Sequence, residues 1–244
     1  MKTDQPIRAK MVNNWLDIIQ QLLFPPTCIL CGNPGQAGRD LCSHCRLQLP
    51  ANACCCPCCA NPMDAVAAEA DRSCGRCIGR PPAFDKVHAP FLYQDGIRYL
   101  ITGLKFSARH ANARLLAQLL TEHVGQNAQR PDCLMPVPLH KARYRERGFN
   151  QAIEIGRNVA AETGIPLDLT SCRRRRDTPH QSGLTSKQRR RNIKNAFELV
   201  RPVPCPHVAI LDDVMTTGST VHEMAVLLKN QGVERVDVWV CARA

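Results

Sequence analysis

The sequence predicts an α/β protein in which a mostly parallel sheet follows a small cysteine-rich module. Eleven of the 15 cysteines lie between Cys28 and Cys77, so they belong to one segment of the chain. From Val87 onward, apolar strand-like runs alternate with helical ones, the order that builds a parallel sheet flanked by helices. A hydrophobic fraction of 44% and a charged fraction of 22% exclude an intrinsically disordered chain.

Residues 1–25 predict an N-terminal amphipathic helix. Between Met11 and Phe24 the apolar residues recur at helical spacing, with Asn, Asp and Gln between them. This helix packs on its own domain or, alternatively, on a partner or a membrane surface. The segment lacks the unbroken apolar stretch of a signal peptide, and no run reaches the roughly 18 to 20 apolar residues needed to span a bilayer. We therefore expect a cytoplasmic protein without an integral membrane segment.

Residues 26–80 predict a metal-binding module, because four Cys-x2-Cys pairs occur there. Two such pairs surround one ion with four thiolates, which is the geometry of a structural zinc site, so we expect a double zinc ribbon. The spacing fits Cys55 and Cys58 as well as Cys56 and Cys59. It also fits an iron–sulfur cluster and leaves open whether one or two ions bind, whereas a reducing compartment disfavours disulfides. The expected ligands are Cys28, Cys31, Cys42, Cys45, Cys56, Cys59, Cys74 and Cys77.

Residues 84–244 predict the α/β domain, and Gly79–Pro82 predicts the linker before it. The predicted strands are Val87–Tyr93, Cys133–Pro138, Val208–Leu211 and Val236–Cys241. The predicted helices are Ile97–Lys105, Asn112–His123, Gln151–Thr163 and Thr220–Gln231. In such a sheet, ligands bind at the carboxyl ends of the strands.

The strongest functional signal is the strand-to-helix junction at Val208–Thr220. Asp212 and Asp213 follow the apolar strand, and small hydroxyl and glycine residues then open a helix. Backbone N–H groups, hydroxyls and the positive end of the helix dipole bind a phosphate at such a junction. The two carboxylates suit a vicinal diol, with a magnesium ion nearby, so the pattern predicts a ribose 5-phosphate site. The alternative is that these residues only cap the helix.

Val208–Thr220 resembles the phosphoribosyl pyrophosphate (PRPP) signature of type I phosphoribosyltransferases. With the cysteine segment, Met135–Ala152 and Arg173–Asn192, it makes the chain similar to the ComF family from Phe24 to Ala244. Members of this family are bacterial competence-associated proteins with a zinc ribbon ahead of a phosphoribosyltransferase-like domain. The resemblance implies a sheet of the type I phosphoribosyltransferase kind, and it favours the register with Cys56 and Cys59.

The resemblance also implies roles for individual residues. Asp212 and Asp213 would hold the ribose hydroxyls, and Arg173–Asn192 would be a mobile loop over the ligand. The residues expected to bind the 5-phosphate are Thr216, Thr217, Gly218, Ser219 and Thr220. Those expected near the pyrophosphate are Val137, Pro138, Leu139 and His140, with Arg143 and Arg147 beside them. Lys105 is a further candidate, although a lysine that ends an amphipathic helix is usually just exposed.

Two basic segments carry nearly all of the formal net charge of +11. Residues 141–147 and 173–191 together contain twelve Lys and Arg residues and only two acidic ones. A pyrophosphate needs about two to four cations, so the excess favours a larger polyanion, and the family implies single-stranded DNA. The alternative is a solvated basic face. The expected DNA contacts of the second segment are Arg173, Arg174, Arg175, Arg176, Lys187, Arg189, Arg190 and Arg191.

These observations support three hypotheses. The first is a ComF-type protein that binds PRPP with magnesium, engages single-stranded DNA during DNA uptake in natural transformation, and works with other competence proteins. The second is an active phosphoribosyltransferase that uses a nucleobase or another nitrogen nucleophile. The third is a regulator that senses the ligand without turnover. The sequence shows no residue suited to recognising a nucleobase, so it does not choose between binding and turnover.

Overall fold

The computed structural model describes residues 25–36, 38–64, 72–176 and 191–244. The predicted helix at residues 1–25 therefore lies almost entirely outside the described residues. The chain divides into two compact units, Met1–Leu49 and Pro50–Ala244. Each unit contains one half of the cysteine-rich segment, so the second half belongs to the same unit as the sheet. The boundaries predicted at residues 80 and 84 were drawn from changes in sequence composition. The compact units are defined by contacts within the structure, and they divide the chain after Leu49.

The described elements are short around the cysteines and longer in the α/β part of the chain. The helices are α1 (Ser43–Leu47), α2 (Gly75–Gly79), α3 (Asp95–Ser107), α4 (His110–Asn127), α5 (Lys141–Arg147), α6 (Gln151–Thr163) and α7 (Ser219–Lys229). The strands are β1 (Lys86–His88), β2 (Phe91–Leu92), β3 (Cys133–Pro136), β4 (Cys172–Arg174), β5 (Phe197–Leu199), β6 (His207–Met215) and β7 (Arg235–Arg243). None of the helices in the described ranges has the length and apolarity needed to cross a bilayer.

The turn that carries the first two cysteines of a set, here called the knuckle, occurs once in each unit. Its residues in the second unit follow those in the first by 28 positions in the sequence. In the first unit the amide of Cys28 donates to the carbonyl of Asn33 at 2.7 Å. In the second unit the amide of Cys56 donates to the carbonyl of Asn61 at 2.9 Å. A short helix then begins directly after the third cysteine of each set, α1 after Cys42 and α2 after Cys74. The cysteine segment is therefore an internal duplication in structure as well as in spacing.

The main sheet has the strand order β1–β7–β6–β3, and β2 also pairs with β7. Every pair in it is parallel, so the predicted α/β class with a mostly parallel sheet is confirmed. The arrangement is consistent with a phosphoribosyltransferase-like fold. A separate antiparallel pair, β4 with β5, was not predicted. It flanks the segment 177–190, which lies outside the described residues.

Both faces of the sheet are covered, which explains why β6 and β7 are apolar at consecutive positions. On one face, Val208 and Ile210 of β6 share a buried cluster with Met224 and Leu228 of α7. On the other face, α6 approaches so closely that a Cβ on Gly156 would lie 3.2 Å from a side-chain carbon of the β3 proline and 3.9 Å from Leu211. The central strands are thus held from both sides, which fixes the position of their carboxyl ends.

The predicted strand Val87–Tyr93 is wrong in its continuity. It is broken into β1 and β2 at Pro90, which has no N–H for the ladder, although the register against β7 is kept across the break. The predicted strand Cys133–Pro138 ends at Pro136 instead. The predicted strand Val208–Leu211 is too short, because β6 continues to Met215 along β7.

Candidate functional site

The candidate site lies where β6 loses one of its two neighbours. β6 pairs with β3 only as far as Leu211, but it pairs with β7 as far as Met215. Asp212 and Asp213 are therefore part of the strand and lie where β3 has ended. Asp213 is only 6% exposed, and Asp212 is half-buried. After the strand the chain turns at Gly218, whose φ of +73° favours glycine, and α7 begins at the next residue.

A cavity of about 470 Å³ opens at this edge of the sheet. It brings together residues from both groups that were predicted around the ligand. The predicted residues that line it are Val137, Leu139, Arg143, Arg147, Asp212, Asp213, Thr216, Thr217, Gly218, Ser219 and Thr220. It is also lined by Tyr93, Lys105, Asn150, Gln151 and Arg174. Pro138 and His140 were predicted near the same anion but are not among the lining residues.

The two aspartates differ in charge because their surroundings differ. Nζ of Lys105 lies 2.9 Å from Oδ2 of Asp213. Burial opposes the charge on Asp213, but this ion pair outweighs it and lowers the pKa of Asp213 below its ordinary value. Burial, together with the negative charge of Asp213, raises the pKa of Asp212 to about 8. At neutral pH the pair therefore combines one ionised and one protonated carboxyl group.

The chain next to β3 is fixed against the aspartates by backbone bonds. The amide of Val137 donates to the carbonyl of Leu211 at 2.8 Å, so the parallel ladder extends one bond beyond β3. Nδ2 of Asn150, just before α6, donates to the carbonyl of Val137 at 2.9 Å. This bond holds the start of the loop that follows β3. The backbone of this loop is therefore positioned beside Asp212.

Helix α5 brings two arginines to the cavity. The helix is capped by His140, whose Nδ1 accepts a hydrogen bond from the amide of Ala142 at 3.3 Å. The ring of His140 is therefore engaged with its own helix, and His140 does not line the cavity. Burial lowers the pKa of Arg147, an effect that the negative charge of Asp213 opposes. Arg143 and Arg147 thus supply positive charge beside the acidic pair.

The loop before α7 is held by the second cysteine set through Arg243. This arginine is the last residue of β7 and is only 2% exposed. Its guanidinium donates to the carbonyls of Met215, at 2.9 Å, and of Thr216. It also donates to the carbonyl of Cys59 at 3.3 Å and to Oδ1 of Asn61 at 3.2 Å. One buried side chain therefore joins the end of β6 to the knuckle of the second ribbon.

Two groups of four cysteines have the geometry of closed metal sites. Within each group, the Sγ atoms all lie within 4.8 Å of one another. Sγ of Cys31 lies 3.6 Å from that of Cys42, and Sγ of Cys59 lies 3.7 Å from that of Cys74. A tetrahedral zinc ion with bonds of about 2.3 Å requires sulfur–sulfur distances of about 3.8 Å, so the donor sets fit zinc. The two groups are Cys28, Cys31, Cys42 and Cys45, and Cys56, Cys59, Cys74 and Cys77.

The first thiol of each group is prepared for the ionised state. Burial opposes the charge on Cys28, but backbone N–H groups, that of Cys42 foremost, outweigh it and lower the pKa of this thiol to about 6. In the same way, N–H groups led by that of Cys59 outweigh burial and lower the pKa of Cys56 to about 7. In the same groups, the neighbouring thiol of Cys31 raises the pKa of Cys45, and burial raises that of Cys77. Four thiolates can therefore lie together there only when a bound cation balances their charge.

Comparison with known proteins places the chain in a family. Residues 19–78 match the double zinc ribbon domain family. DNA utilization protein YhgH of Salmonella typhimurium is 36% identical over 228 residues, which cover 91% of this chain and 99% of that protein. Competence protein F of Haemophilus influenzae is 36% identical over 227 residues, covering 89% and 96% of the two chains. The chain belongs to the ComF family. Competence protein ComFC of Streptococcus pneumoniae is 26% identical over 156 residues, covering 64% and 67%.

In this ComF-family chain, the basic residues predicted to contact DNA have different surroundings. Arg174 lines the cavity beside the aspartates, and its guanidinium carbon lies 5.6 Å from the ring centre of Phe197. Arg173 is exposed and pairs with Glu198, and Arg176 is exposed and donates to a backbone carbonyl at 2.8 Å. The other two described members, Arg175 and Arg191, are also exposed. Lys187, Arg189 and Arg190 lie outside the described residues.

Lys105 was predicted as a further candidate, with simple exposure as the alternative. The structure contradicts the alternative, because the side chain is 29% exposed and pairs with Asp213. The available signal was its place at the end of a helix that follows a strand of the sheet. Tyr93 also lines the cavity and was missed, since it looked like the last residue of a strand. Nothing in the local sequence distinguishes Tyr93 from a core residue.

Proposed function

We propose that this ComF-family protein binds PRPP, assisted by magnesium, in the cavity at the end of β6. The observation that carries the proposal is the meeting of an acidic pair, a glycine-containing turn and several cations around one cavity. PRPP needs all three, since it has a diol, a 5-phosphate and a pyrophosphate. A helix cap alone needs neither the acidic pair nor the cations.

The turn before α7 suits the 5-phosphate. Thr216 is exposed, Thr217 is half-buried, and α7 directs its amino end at the cavity. Oγ1 of Thr217 lies 2.9 Å from Oγ of Ser219, so one hydroxyl donates to the other and the pair keeps one O–H for a ligand. N–H groups and the dipole of a helix terminus favour an anion, which the hydroxyls then orient.

The acidic pair suits the ribose hydroxyls and, with the pyrophosphate, a magnesium ion. Carboxylates and phosphate oxygens are the ligands that Mg²⁺ uses in proteins, so the donor set fits this ion. Lys105, Arg143 and Arg147 line the same cavity and would face the negative charge of the pyrophosphate. Magnesium would supply further neutralisation of that charge, and the protein side chains would position the sugar between the two anions.

The test is calorimetric titration with PRPP and Mg²⁺. Replacing Asp213 by Asn removes a charge-assisted acceptor and its ion pair with Lys105, and we expect the affinity to fall by about 10- to 100-fold. The matched control is Glu162→Gln, an exposed carboxylate near the end of α6, which should leave the affinity unchanged. Absence of binding to the unmodified protein at millimolar PRPP would contradict the proposal.

We further propose that the protein engages single-stranded DNA and acts in DNA uptake and natural transformation, together with other competence proteins. The relatives are named as competence and DNA utilization proteins. The cations that line the PRPP cavity already match the about two to four that one pyrophosphate requires. Further exposed arginines are therefore left for a larger polyanion, namely Arg173, Arg175, Arg176 and Arg191. We place this activity in the cytoplasm, where thiols remain reduced and available to zinc.

Binding to an oligo(dT) strand at increasing salt tests this part. Log affinity falls with log salt, and each lost phosphate contact should make this negative slope shallower by about 0.7. We expect Arg175→Ala/Arg176→Ala to make it shallower by about 1.4 and to leave PRPP affinity unchanged. An affinity that does not fall with salt would refute the electrostatic account. Release of pyrophosphate with any nucleobase would instead reveal a phosphoribosyltransferase.

A further inference from the structure

A second cavity, of about 380 Å³, lies on the other side of the loop before α7. Thr217, Gly218 and Ser219 line both cavities, so this loop separates them. The opposite wall comes from the second ribbon, including Cys59 and Arg76. All of these residues belong to the unit Pro50–Ala244. No role of the cysteines or of the PRPP site accounts for this cavity.

The floor of the second cavity is apolar. It consists of Pro81, Pro82, Phe84 and Met215. Phe84 and Met215 are 5% and 4% exposed, and the side chain of Met215 lies so close to Gly218 that a Cβ there would be 2.8 Å from its Cε. Proline rings, a phenyl ring and a thioether form the kind of flat, polarisable surface on which a planar ring packs well.

The rim of the cavity is strongly cationic. Arg76, Arg80, Arg191 and Lys194 line it and are all exposed, and Glu223 is the acidic residue among the lining residues. Arg76 donates to the carbonyl of Thr217. Within the described part of the chain, Arg80 and Lys194 have no carboxylate within ion-pair distance. A net positive rim above an apolar floor is complementary to a ligand that combines a planar apolar group with an anion.

Two polar side chains of the cavity, His222 and Glu223, are able to form hydrogen bonds with the edge of a planar ring. The amide of Ala83 donates to Nδ1 of His222 at 3.1 Å. A backbone N–H can only donate, so Nδ1 of His222 is the acceptor, and the neutral ring carries its hydrogen on Nε2. Oε2 of Glu223 accepts from the amide of Asn195 at 3.2 Å, which leaves Oε1 to accept another bond. The cavity thus offers one ring donor and one carboxylate acceptor beside the floor.

We propose that the second cavity binds one nucleotide of a DNA single strand. The base would pack on the apolar floor, His222 and Glu223 would bond its edge, and Arg80 and Lys194 would contact flanking phosphates. A volume of about 380 Å³ is at the small end of ligand cavities, which suits one nucleotide rather than a folded element of a protein. This inference deepens the proposed DNA binding and rests on it for the source of the nucleotide.

The experiment compares two double variants of equal charge loss. Arg80→Ala/Lys194→Ala removes two rim cations, and Arg157→Ala/Arg201→Ala removes two exposed arginines that do not line either cavity. Each is titrated with a 12-nucleotide oligo(dT) and with dTMP at several salt concentrations. For the rim variant we expect an affinity for the strand about ten-fold lower. We also expect the negative slope of log affinity against log salt to become shallower by about 1.4. For the control we expect less than about a two-fold change.

A second measurement locates the base. A strand carrying 5-iodouracil, irradiated on the unmodified protein, should crosslink to Phe84, Met215 or His222. Crosslinks confined to other peptides, or equal losses in the two double variants, would overturn the proposal. If dTMP alone bound as tightly as the strand, a free nucleotide would replace the strand as the ligand. A parallel PRPP titration keeps the two proposals apart, because PRPP binding can fail while the nucleotide result stays readable.

Discussion

The two cysteine sets share one local design but differ in their surroundings. In both, the first cysteine accepts backbone hydrogen bonds that stabilise a thiolate, and a short helix follows the third cysteine. The first set lies in the unit Met1–Leu49, whereas the second belongs to the unit that carries the sheet. There, the carbonyl of Cys59 shares the guanidinium of Arg243 with the end of β6. A duplicated metal module can thus keep its fold while one copy becomes connected, through Arg243, to the loop that lines the candidate cavity.

The comparison is tested most strongly by removing one thiolate from each set. Cys59→Ser should lose the second zinc ion, release the partners of Arg243, and lower PRPP affinity by more than about 30-fold. Cys31→Ser should lose the first zinc ion and leave PRPP affinity within about two-fold, because every lining residue of the PRPP cavity lies in the second unit. Zinc content and calorimetry measure both. Equal losses of affinity would contradict the difference between the sets.

PRPP affinity should fall less when the second metal site is kept and only the link between it and the end of β6, the side chain of Arg243, is altered. Arg243→Lys retains the charge but cannot reach four partners with one ammonium group, so buried carbonyls lose their donors. We expect PRPP affinity to fall by about ten-fold with zinc content unchanged. Arg235→Lys, at the half-buried beginning of the same strand and paired with Asp237, is the matched control. If Arg243→Lys impairs folding, Arg76→Ala provides an exposed alternative and should cost about two- to five-fold.

The affinity of the candidate site for PRPP should depend on pH through Asp212. Its pKa of about 8 means that the free protein holds a proton on Asp212, which must leave before the group can bind a cation or accept from hydroxyls as a carboxylate with both oxygens. PRPP affinity should therefore rise as pH increases from 6 to about 8, by at most ten-fold per unit, and then level off. Asp212→Asn should bind more weakly and abolish the rise. A flat profile in the unmodified protein would show that Asp212 does not ionise on binding.

The same raised pKa has a consequence for stability. The folded protein keeps a proton that the unfolded chain, with an ordinary value of 3.8, releases at lower pH. The contribution of Asp212 to stability is thus fully present below pH 3.8 and is lost as pH rises to about 8. Denaturant titrations of the unmodified protein and of Asp212→Asn should diverge in this direction across that window.

The smallest effect concerns the turn of each knuckle. Gly32 has a φ of +79° with no atom within 4 Å of a Cβ position, whereas Ala60 occupies the equivalent place with a φ of +52°. Gly32→Ala should therefore cost about 1 kcal/mol, or about five-fold in the zinc affinity of the first set. Ala60→Gly should be nearly neutral, because relief of backbone strain offsets the loss of a buried methyl group. Chelator competition measures both. Equal effects of the two substitutions would refute the account.

The fold class could be predicted because it depends on local patterns. Gln151–Thr163 was predicted with its observed bounds, since Asn150 and Gly164 mark its two ends as caps. The break at Pro90 was missed because a single proline within an apolar run is compatible with an edge strand as well as with an interruption. The antiparallel pair β4 and β5 was missed because Cys172–Arg174 is too short and too charged to show alternation.

The site was predictable where it is contiguous and unpredictable where distant residues meet. Asp212 to Thr220 form one sequence motif, and the structure collects them around one cavity. Lys105 is 108 positions before Asp213, and no property of its own helix indicates that partner. Arg243 lies beyond the predicted strand Val236–Cys241 and was not singled out, because its role depends on carbonyls supplied by two other parts of the chain.

The unequal pairing of β6 has one more consequence. Asp212 and Asp213 stand on a strand that β7 continues to hold through Met215, while the β3 side of the same strand has already opened. Acceptors held in this way need not be immobilised when a sugar arrives, so association should consume little conformational entropy. A calorimetric trace dominated by favourable enthalpy, with closely similar crystal structures before and after soaking, is the signature to look for.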